Sequence, residues 1–568
     1  MGIPSYFSHI VKKHRNIFKK VSKETTKIDN LYLDCNSIIY DAVHELHKAR
    51  DDKARDDKAQ EHKARDDKAP ELKDKINNFS NFEKLLIKMV CEKLDYYIQL
   101  LLPAARVLIA FDGVAPVAKL DQQRKRRYMT WYNEKIIAEL KNEKSASTTW
   151  STSSITPGTD FMKQLTAEIK LHFQTNKTNI NIMISASDEV GEGEHKIYEY
   201  IRQNSDYHSN TTTVIYGLDA DLIMLTLNHL YISNKMYLFR ETPHFIQGID
   251  KTLDPNELYL MDIPYFAERM IEELSDAETK PEGDPTKGDT NRKDLTDNKI
   301  FDYIFICFFL GNDFMPHFPA LNIRTSGIDT LICAYKHVFS SSKTGIIENN
   351  MNEGQTIIWK NLRKFIDYLS SSELESIKNE YIRRDKQAKN MLSYYDNKKE
   401  EEKLLLIPLK ERSIEKFINP NESGWQERYY NALFNIKIND DRRKEICLNY
   451  LEGLEWTMKY YSKGCVDWRW SYKYDYPPLL CDLIKYVPYF DTTLLEIKPK
   501  NPVTPIVQLS YVLPKSSHYL LPQNIRGLLK SEWYNDDCSF KWSFCKYFWE
   551  AHVCLPEINI SELEKLIK

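Results

Sequence analysis

The sequence predicts an α/β fold built on a mostly parallel sheet, and three observations carry that prediction. Short β-rich runs alternate with longer helical patterns through the N-terminal half, namely "NLYLD" (30–34), "ARVLIAFDG" (105–113), "NINIMIS" (179–185) and "TTTVIYGLDADLIML" (211–225). Each run ends on, or just before, acidic residues. The chain is 568 residues long with 42% hydrophobic and 12% aromatic side chains, enough for a large buried core and for roughly three to four domain-sized units.

Taken in order, the opening "MGIPSYFS" resembles an acylation start, but Tyr6 stands where Ser or Thr is required. Lys12, Lys13, Arg15, Lys19 and Lys20 follow without an apolar core, and no uncharged apolar run reaches 18 residues, so neither a secretory signal nor a membrane span is expected. Residues 48–68 repeat the pentapeptide KARDD, with Lys48, Lys53, Lys58, Lys63 and Lys68 in register. A period of five fits neither a helix face nor a strand, so a solvated insertion over about 47–75, helical or disordered, is expected. A second polar insertion falls at 275–299, and a charged stretch, "RRDKQAKNMLSYYDNKKEEEKL", at 383–404. These features divide the chain into a catalytic 1–380, a charged connector 381–410 and a supporting 411–568. The ten cysteines form no CxxC pair or zinc-spaced array, which predicts reduced thiols in an intracellular compartment, and Cys307 and Cys333 sit in apolar runs expected to be core. Net charge is only −3, so any nucleic-acid site must be a local patch.

The acids are the most informative residues. Asp34 and Asp112 close the first two runs, "SDEVGEGEHK" (Asp188, Glu189, Glu192, Glu194) follows the third, and Asp219 and Asp221 lie in the fourth; Asp313 follows the apolar run 304–310. Beyond the carboxyl ends of parallel strands these acids would converge on one edge. Asp34, Asp112, Glu192, Glu194, Asp219, Asp221 and Asp313 together would repel one another unless cations neutralised them. All-oxygen ligation suits Mg²⁺ or Mn²⁺, and several carboxylates able to hold two ions suit phosphodiester hydrolysis. For the 188–194 cluster the competing reading is helix capping.

Seven residues after Asp112, "KLDQQRKRRY" places Lys119, Gln123, Arg126 and Arg127 at i, i+4, i+7 and i+8 of a helix, a stripe fit for a terminal phosphate; Arg124 and Lys125 point elsewhere. In the C-terminal half, "DWRWSYKYDYPP" alternates Trp468, Trp470, Tyr472, Tyr474 and Tyr476, read either as a half-buried strand with an aromatic core face or as a base-stacking surface.

Over nearly the whole chain these motifs resemble the 5′→3′ exoribonucleases of the Xrn/Rat type, a branch of the metal-dependent PIN/flap-nuclease superfamily. The resemblance is carried by "MGIPSYF", "LYLDCNSIIY", "FDGVAPVAKLDQQRKRR", "SITPGTDFM", "GEGEHKI", "YGLDADLIML", "FFLGNDFMPHFPAL", "LEGLEWTMKYYSKGCVDWRWSYKYDYPPL" and "PVTPIVQLSYVLP", in the family's order. It implies a PIN/flap-like sheet with a largely helical C-terminal region, and a Mg²⁺-dependent enzyme releasing mononucleotides from single-stranded RNA bearing a 5′-monophosphate. By motif the seven acids are metal ligands and catalytic, Lys119, Gln123, Arg126 and Arg127 form the 5′-phosphate pocket, and a Trp, either Trp468 or Trp470, stacks the terminal base. Tyr40 replaces the family's stacking His and Ser37 its usual Gly. Neither the long C-terminal extension of the large cytoplasmic members nor the Cys/His knuckle of many nuclear ones is expected, and a cytoplasmic rather than nuclear role is. A flap-type DNA endonuclease and a non-catalytic RNA-binding scaffold are the competing functions.

Overall fold

The computed structural model describes residues 3, 5–21, 27–61, 79–141, 150–175, 180–241, 251–254, 257–275, 298–350, 354–497 and 501–568. Its centre is a seven-stranded sheet in the order β1-β7-β6-β5-β2-β3-β4, with β1 Phe18–Lys20, β2 Asn30–Asp34, β3 Arg106–Ala110, β4 Asn181–Ser185, β5 Thr213–Tyr216, β6 Met236–Glu241 and β7 Leu258–Asp262. Strands β4, β3, β2, β5 and β6 run parallel, while β7 and β1 close one side antiparallel. The period-two alternation of β2 and β3 sends Leu31, Leu33, Val107 and Ile109 into one hydrophobic layer, and Tyr32, Leu108 and Ala110 into the other. Both faces are therefore covered, as an all-parallel stretch requires.

All four predicted strands are present, but three more were not read from the sequence. β1, β6 and β7 lie on one side of the sheet, and of them only β1 is short, at three residues. The run 211–225 is only partly strand: β5 stops at Tyr216, and the helix Asp221–His229 begins after a turn in which a Cβ on Gly217 would lie 2.2 Å from Leu222 Cδ1. The apolar run before Asp313 is helical, spanning Asn298–Cys307 and a 3₁₀ turn Phe308–Leu310.

The C-terminal region is helical and packs around the central sheet. Its longest element, Asp440–Lys463, is capped by Asn439, whose side chain accepts from the Arg442 N–H, and it stops at Gly464 with φ 93°. Within it Gly453 permits close approach, since a Cβ there would lie 2.6 Å from Met315 Sδ and 2.9 Å from Trp470 Cη2.

Several expectations change. Within the charged connector, residues 383–404 lie largely in the helices Glu373–Tyr395 and Glu400–Leu405. Arg384 within it is buried, donating from Nε (3.0 Å) and Nη2 (2.7 Å) to Glu415. The "DWRWSYKYDYPP" stretch forms no strand; Trp470, Tyr472 and Tyr476 are buried as a strand face would be, but the backbone runs irregularly and bonds to side chains such as Asn449. Cys307 is buried as expected. Cys333 is exposed, because the helix Gly327–Phe339 buries Ile328, Leu331, Ile332 and Tyr335 and turns Cys333 outward. The cysteines are all free thiols. The first part of the KARDD repeat continues the helix Asn36–Glu61; the rest of it, and residues 276–297 of the second insertion, lie outside the described residues. Among the described residues no helix is long and apolar enough to cross a membrane.

Candidate active site

The first of the parallel strands, β2, lies in the middle of them; the chain then builds outward through β3 and β4 and returns to the other side of β2 with β5. Loops after β2 and β5 leave in opposite directions, which opens a crevice at the carboxyl ends of the strands. A cavity of about 460 Å³ occupies it. Asp34, Asp112, Glu192, Glu194 and Asp219 line this space together with Lys119, Gln123, Arg126, Arg127 and Tyr40. Asp313 and Asp221 are buried next to it: Asp313 meets Lys119, and Asp221 opens the helix behind Asp219.

The acidic cluster after β4 divides as burial dictates. Asp188 pairs at 3.5 Å with Lys170 in a solvent-exposed contact, and Glu189 accepts from Ser185 Oγ at 2.5 Å, also at the surface. Glu192 and Glu194 turn inward and are buried. Glu192 occupies the N-cap position of the helix Gly193–Gln203 but makes no capping bond. The capping acceptor comes instead from β3: Asp112 Oδ1 takes the Gly193 N–H at 2.7 Å. Gly191 supplies backbone freedom at φ 105°, whereas Gly193 is required for space, since a Cβ there would lie 2.6 Å from Asp34 Oδ1. Asn36 holds the other side of Asp112, donating from Nδ2 to Oδ2 at 2.6 Å and accepting the Asp112 N–H at 3.1 Å.

Lys119 lies among the acids rather than only with the basic stripe, its Nζ 2.6 Å from Glu192 Oε1 and 2.7 Å from Asp313 Oδ2. Burial alone would push its pKa down, but Asp313 and Glu192 override this and hold it well above the ordinary lysine value. The same contact overrides burial at Asp313 and pulls that carboxyl below the usual range. Asp34, Glu194 and Asp221 shift the opposite way. Burial, then Asp112 and Asp219, raise Asp34; burial, then Asp219 and Asp221, raise Glu194; burial, then Asp219 and Asp313, push Asp221 up to about 8.

The residues fit a hard divalent cation by the chemistry of the donor set. The seven carboxylates offer oxygen only, burial and neighbouring acids push Asp34, Glu194 and Asp221 up, and Asp221 Oδ1 is buried without a hydrogen-bond donor. Among the described residues no three such side chains stand in coordinating geometry, Glu192 being engaged by Lys119 and by the Tyr460 hydroxyl, which donates to its Oε2 at 2.6 Å.

On the basic side, Lys119, Gln123, Arg126 and Arg127 project from the helix Val117–Leu140 into the cavity. Gln123 Oε1 and Arg127 Nε are buried with no partner. Burial lowers Arg127 to about 10, still charged at neutral pH. Arg124 and Lys125 face away as expected: Arg124 donates to Pro556 O (2.8 Å) and Trp533 O (2.9 Å), and Lys125 pairs with Asp475 at 2.6 Å. The back of the helix is thereby clamped by the C-terminal region, with Asp121 bonded to Tyr511 and the Ala115 N–H to Gln508 Oε1 at 3.0 Å.

The two tryptophans separate. Trp470 is buried and stacked on Trp456, ring centroids 5.1 Å apart. Trp468 is half-buried, and its carbonyl accepts the Val117 N–H at 3.0 Å at the start of the stripe helix. Sequence reasoning missed Asn36, Tyr460 and Tyr461, which brace acids through tertiary contacts, and Arg240, which lines the cavity from β6.

Residues 1–242 match the family profile described as "XRN 5'-3' exonuclease N-terminus", and residues 293–416 and 409–568 match "Xrn1 helical domain". Among curated proteins the chain is 26% identical to 5'-3' exoribonuclease 2 of Arabidopsis thaliana, over 99% of this chain and 66% of that protein. It is 26% identical to 5'-3' exoribonuclease 1 of Schizosaccharomyces pombe (99% and 48%) and 25% identical to that of Saccharomyces cerevisiae (94% and 40%). The chain thus spans between two fifths and two thirds of the length of these relatives. With both profiles matched in order across the catalytic sheet and the helical region clamped onto it, the chain belongs to the Xrn 5′→3′ exoribonuclease family.

Proposed function

We propose that this protein is a 5′→3′ exoribonuclease of RNA turnover that shortens single-stranded RNA carrying a 5′-monophosphate, releasing mononucleotides. One observation carries the reading: an anion-binding helix face and a converging set of carboxylates share a single cavity of nucleotide-binding size. An endonuclease has no need of a closed anion pocket beside its acids, and a scaffold has no need of the acids.

Gln123, Arg126 and Arg127 take the terminal phosphate, the buried and unpartnered Nε of Arg127 donating to one of its oxygens. Tyr40, 38% exposed on the helix Asn36–Glu61, offers its ring to the terminal base, and Trp468 is the tryptophan available for the same purpose. Asp34, Asp112, Glu192, Glu194, Asp219, Asp221 and Asp313 would hold Mg²⁺, or Mn²⁺, which when bound supplies activation of water and stabilisation of charge on the phosphodiester. Asn36 and the Gly193 N–H keep Asp112 oriented, and Tyr460 does the same for Glu192. Lys119 moves its charge between the acids and the incoming phosphate, so that substrate binding frees Glu192 and Asp313. A cap or triphosphate exceeds a pocket sized for one phosphate.

The test is degradation of RNA labelled at its 5′ phosphate, with Mg²⁺ and with EDTA. Immediate release of labelled mononucleotide that EDTA stops is expected. Internal fragments, or equal rates on 5′-hydroxyl RNA, would overturn the reading.

A further inference from the structure

The cavity holds a cation that belongs to neither the basic stripe nor the acids' own salt bridges. Arg240 is the fifth residue of β6 and lines the space at its carboxyl end. In sheet order the stripe helix follows β3, Asp34 ends β2, Asp219 follows β5, and Arg240 stands on β6, so Asp34 and Asp219 come from the strands between Arg240 and the stripe. Three strand spacings of ~4.8 Å separate the backbones of β3 and β6, about 14 Å in all, so Arg240 approaches the cavity from a different side than the stripe.

The guanidinium is held without being neutralised by direct bonding. Its carbon lies 3.6 Å from the centroid of the Phe7 ring, on the helix Tyr6–Lys13, and its Nε is buried with no acceptor. Phe7 is itself buried and braced edge-on by Phe18 at 6.1 Å. Asp219 is the acid whose field favours the arginine's charge. A stacked guanidinium with a free Nε edge beside an anion-binding cavity has the geometry of a fork awaiting an oxyanion.

We propose that Arg240 is a substrate-binding residue that takes a non-bridging oxygen of an internal phosphodiester of the bound strand, across the acids from the 5′-phosphate pocket, with Phe7 as the platform that orients it. The proposal rests on the RNA reading of the cavity. It also gives the opening "MGIPSYF" motif a task, since that segment places Phe7 under the arginine.

The experiment measures equilibrium binding of the full-length chain, in EDTA and over a salt series, to a 5′-phosphorylated single-stranded RNA. A matched set carries one neutral methylphosphonate at the first, second or third linkage. For wild type, neutralising one of these linkages is expected to weaken binding about ten- to hundredfold. Arg240→Gln should show the same loss on natural RNA, a salt slope shallower by about 0.7, and no further loss on the RNA with that linkage neutral. Arg240→Lys should recover part of the affinity, and Phe7→Leu should lose part of it with the arginine in place. Arg126→Gln, in contrast, should remain sensitive to the methylphosphonate.

The assignment is overturned if Arg240→Gln and wild type respond alike to every methylphosphonate, which is the behaviour of a structural arginine. It is also overturned if no linkage in wild type is sensitive, a result that needs no variant to fold. Should wild type bind none of these RNAs, the RNA reading itself fails and takes this assignment with it; normal binding with an indifferent Arg240 leaves that reading standing.

Discussion

At the scale of single residues, burial separates two kinds of acid within one short cluster. Glu192 and Glu194 are buried against Lys119 and other carboxylates, while Asp188 and Glu189, three to six positions earlier, are solvated. Asp219→Ala should abolish cleavage and leave RNA binding intact, measured by single-turnover cleavage and by anisotropy; unchanged turnover would remove Asp219 from the machinery. Arg127→Ala should lower kcat/KM on 5′-phosphorylated RNA about ten- to hundredfold while changing the rate on 5′-hydroxyl RNA little, because a charge-assisted bond is worth about 1.5–3 kcal/mol. A pH effect follows from the raised acids. Burial, then neighbouring carboxylates, put the native values of Asp34, Glu194 and Asp221 above their unfolded values, Asp221 at about 8. Below the unfolded values both states are protonated and nothing is lost. As pH rises through the window toward 8 the unfolded chain gives up these protons first, so the acids increasingly favour unfolding. A divalent cation removes that penalty, so the Mg²⁺-induced rise in melting temperature should be larger at pH 8 than at pH 6. An equal rise at both would mean the acids do not bind the ion.

At the scale of elements, the loop after β4 and the stripe helix position the site. The Gly193 N–H serves Asp112, and its missing side chain makes room for Asp34, so Gly193→Ala should destabilise the fold by ~1–3 kcal/mol and depress kcat beyond that, read by thermal melts and by turnover at a temperature where both proteins are folded. The two tryptophans can be told apart in the same way. Trp470→Ala removes a buried stacked ring and should cost ~3–5 kcal/mol of stability. Trp468→Ala should cost little stability and mainly raise KM; the reverse pattern would exchange their roles. That the stripe would be helical was legible from its spacing, and so was the direction of Arg124 and Lys125. That Lys119 would sit between Glu192 and Asp313 was not, because it depends on the turn 311–313, which comes almost two hundred residues later.

At the scale of the whole molecule, the helical region acts as the outer wall of the catalytic sheet. Tyr511, Gln508, Asp475, Trp533 and Pro556 all hold the back of one helix whose front faces the cavity. Residues 440–463 bring Tyr460 and Tyr461 to Glu192 and Asp221. Activity should therefore fail before the sheet unfolds when this clamp is loosened: Tyr511→Ala should lower the temperature of half-maximal inactivation below that of the main far-ultraviolet dichroism transition. Coincident transitions would mean the clamp and sheet melt as one unit.

The sequence by itself determined the α/β class, four of the five parallel strands, the convergence of acids at their ends and the cationic face of one helix. These are local properties, readable from periods of two and 3.6 residues and from where charge interrupts them. The tertiary structure alone decided which acids are buried, which glycine is needed for space rather than freedom, which tryptophan is core, and that Arg240 on an unread strand shares the cavity. Each of these depends on contacts between segments far apart in the chain, where no periodicity in either segment records the meeting.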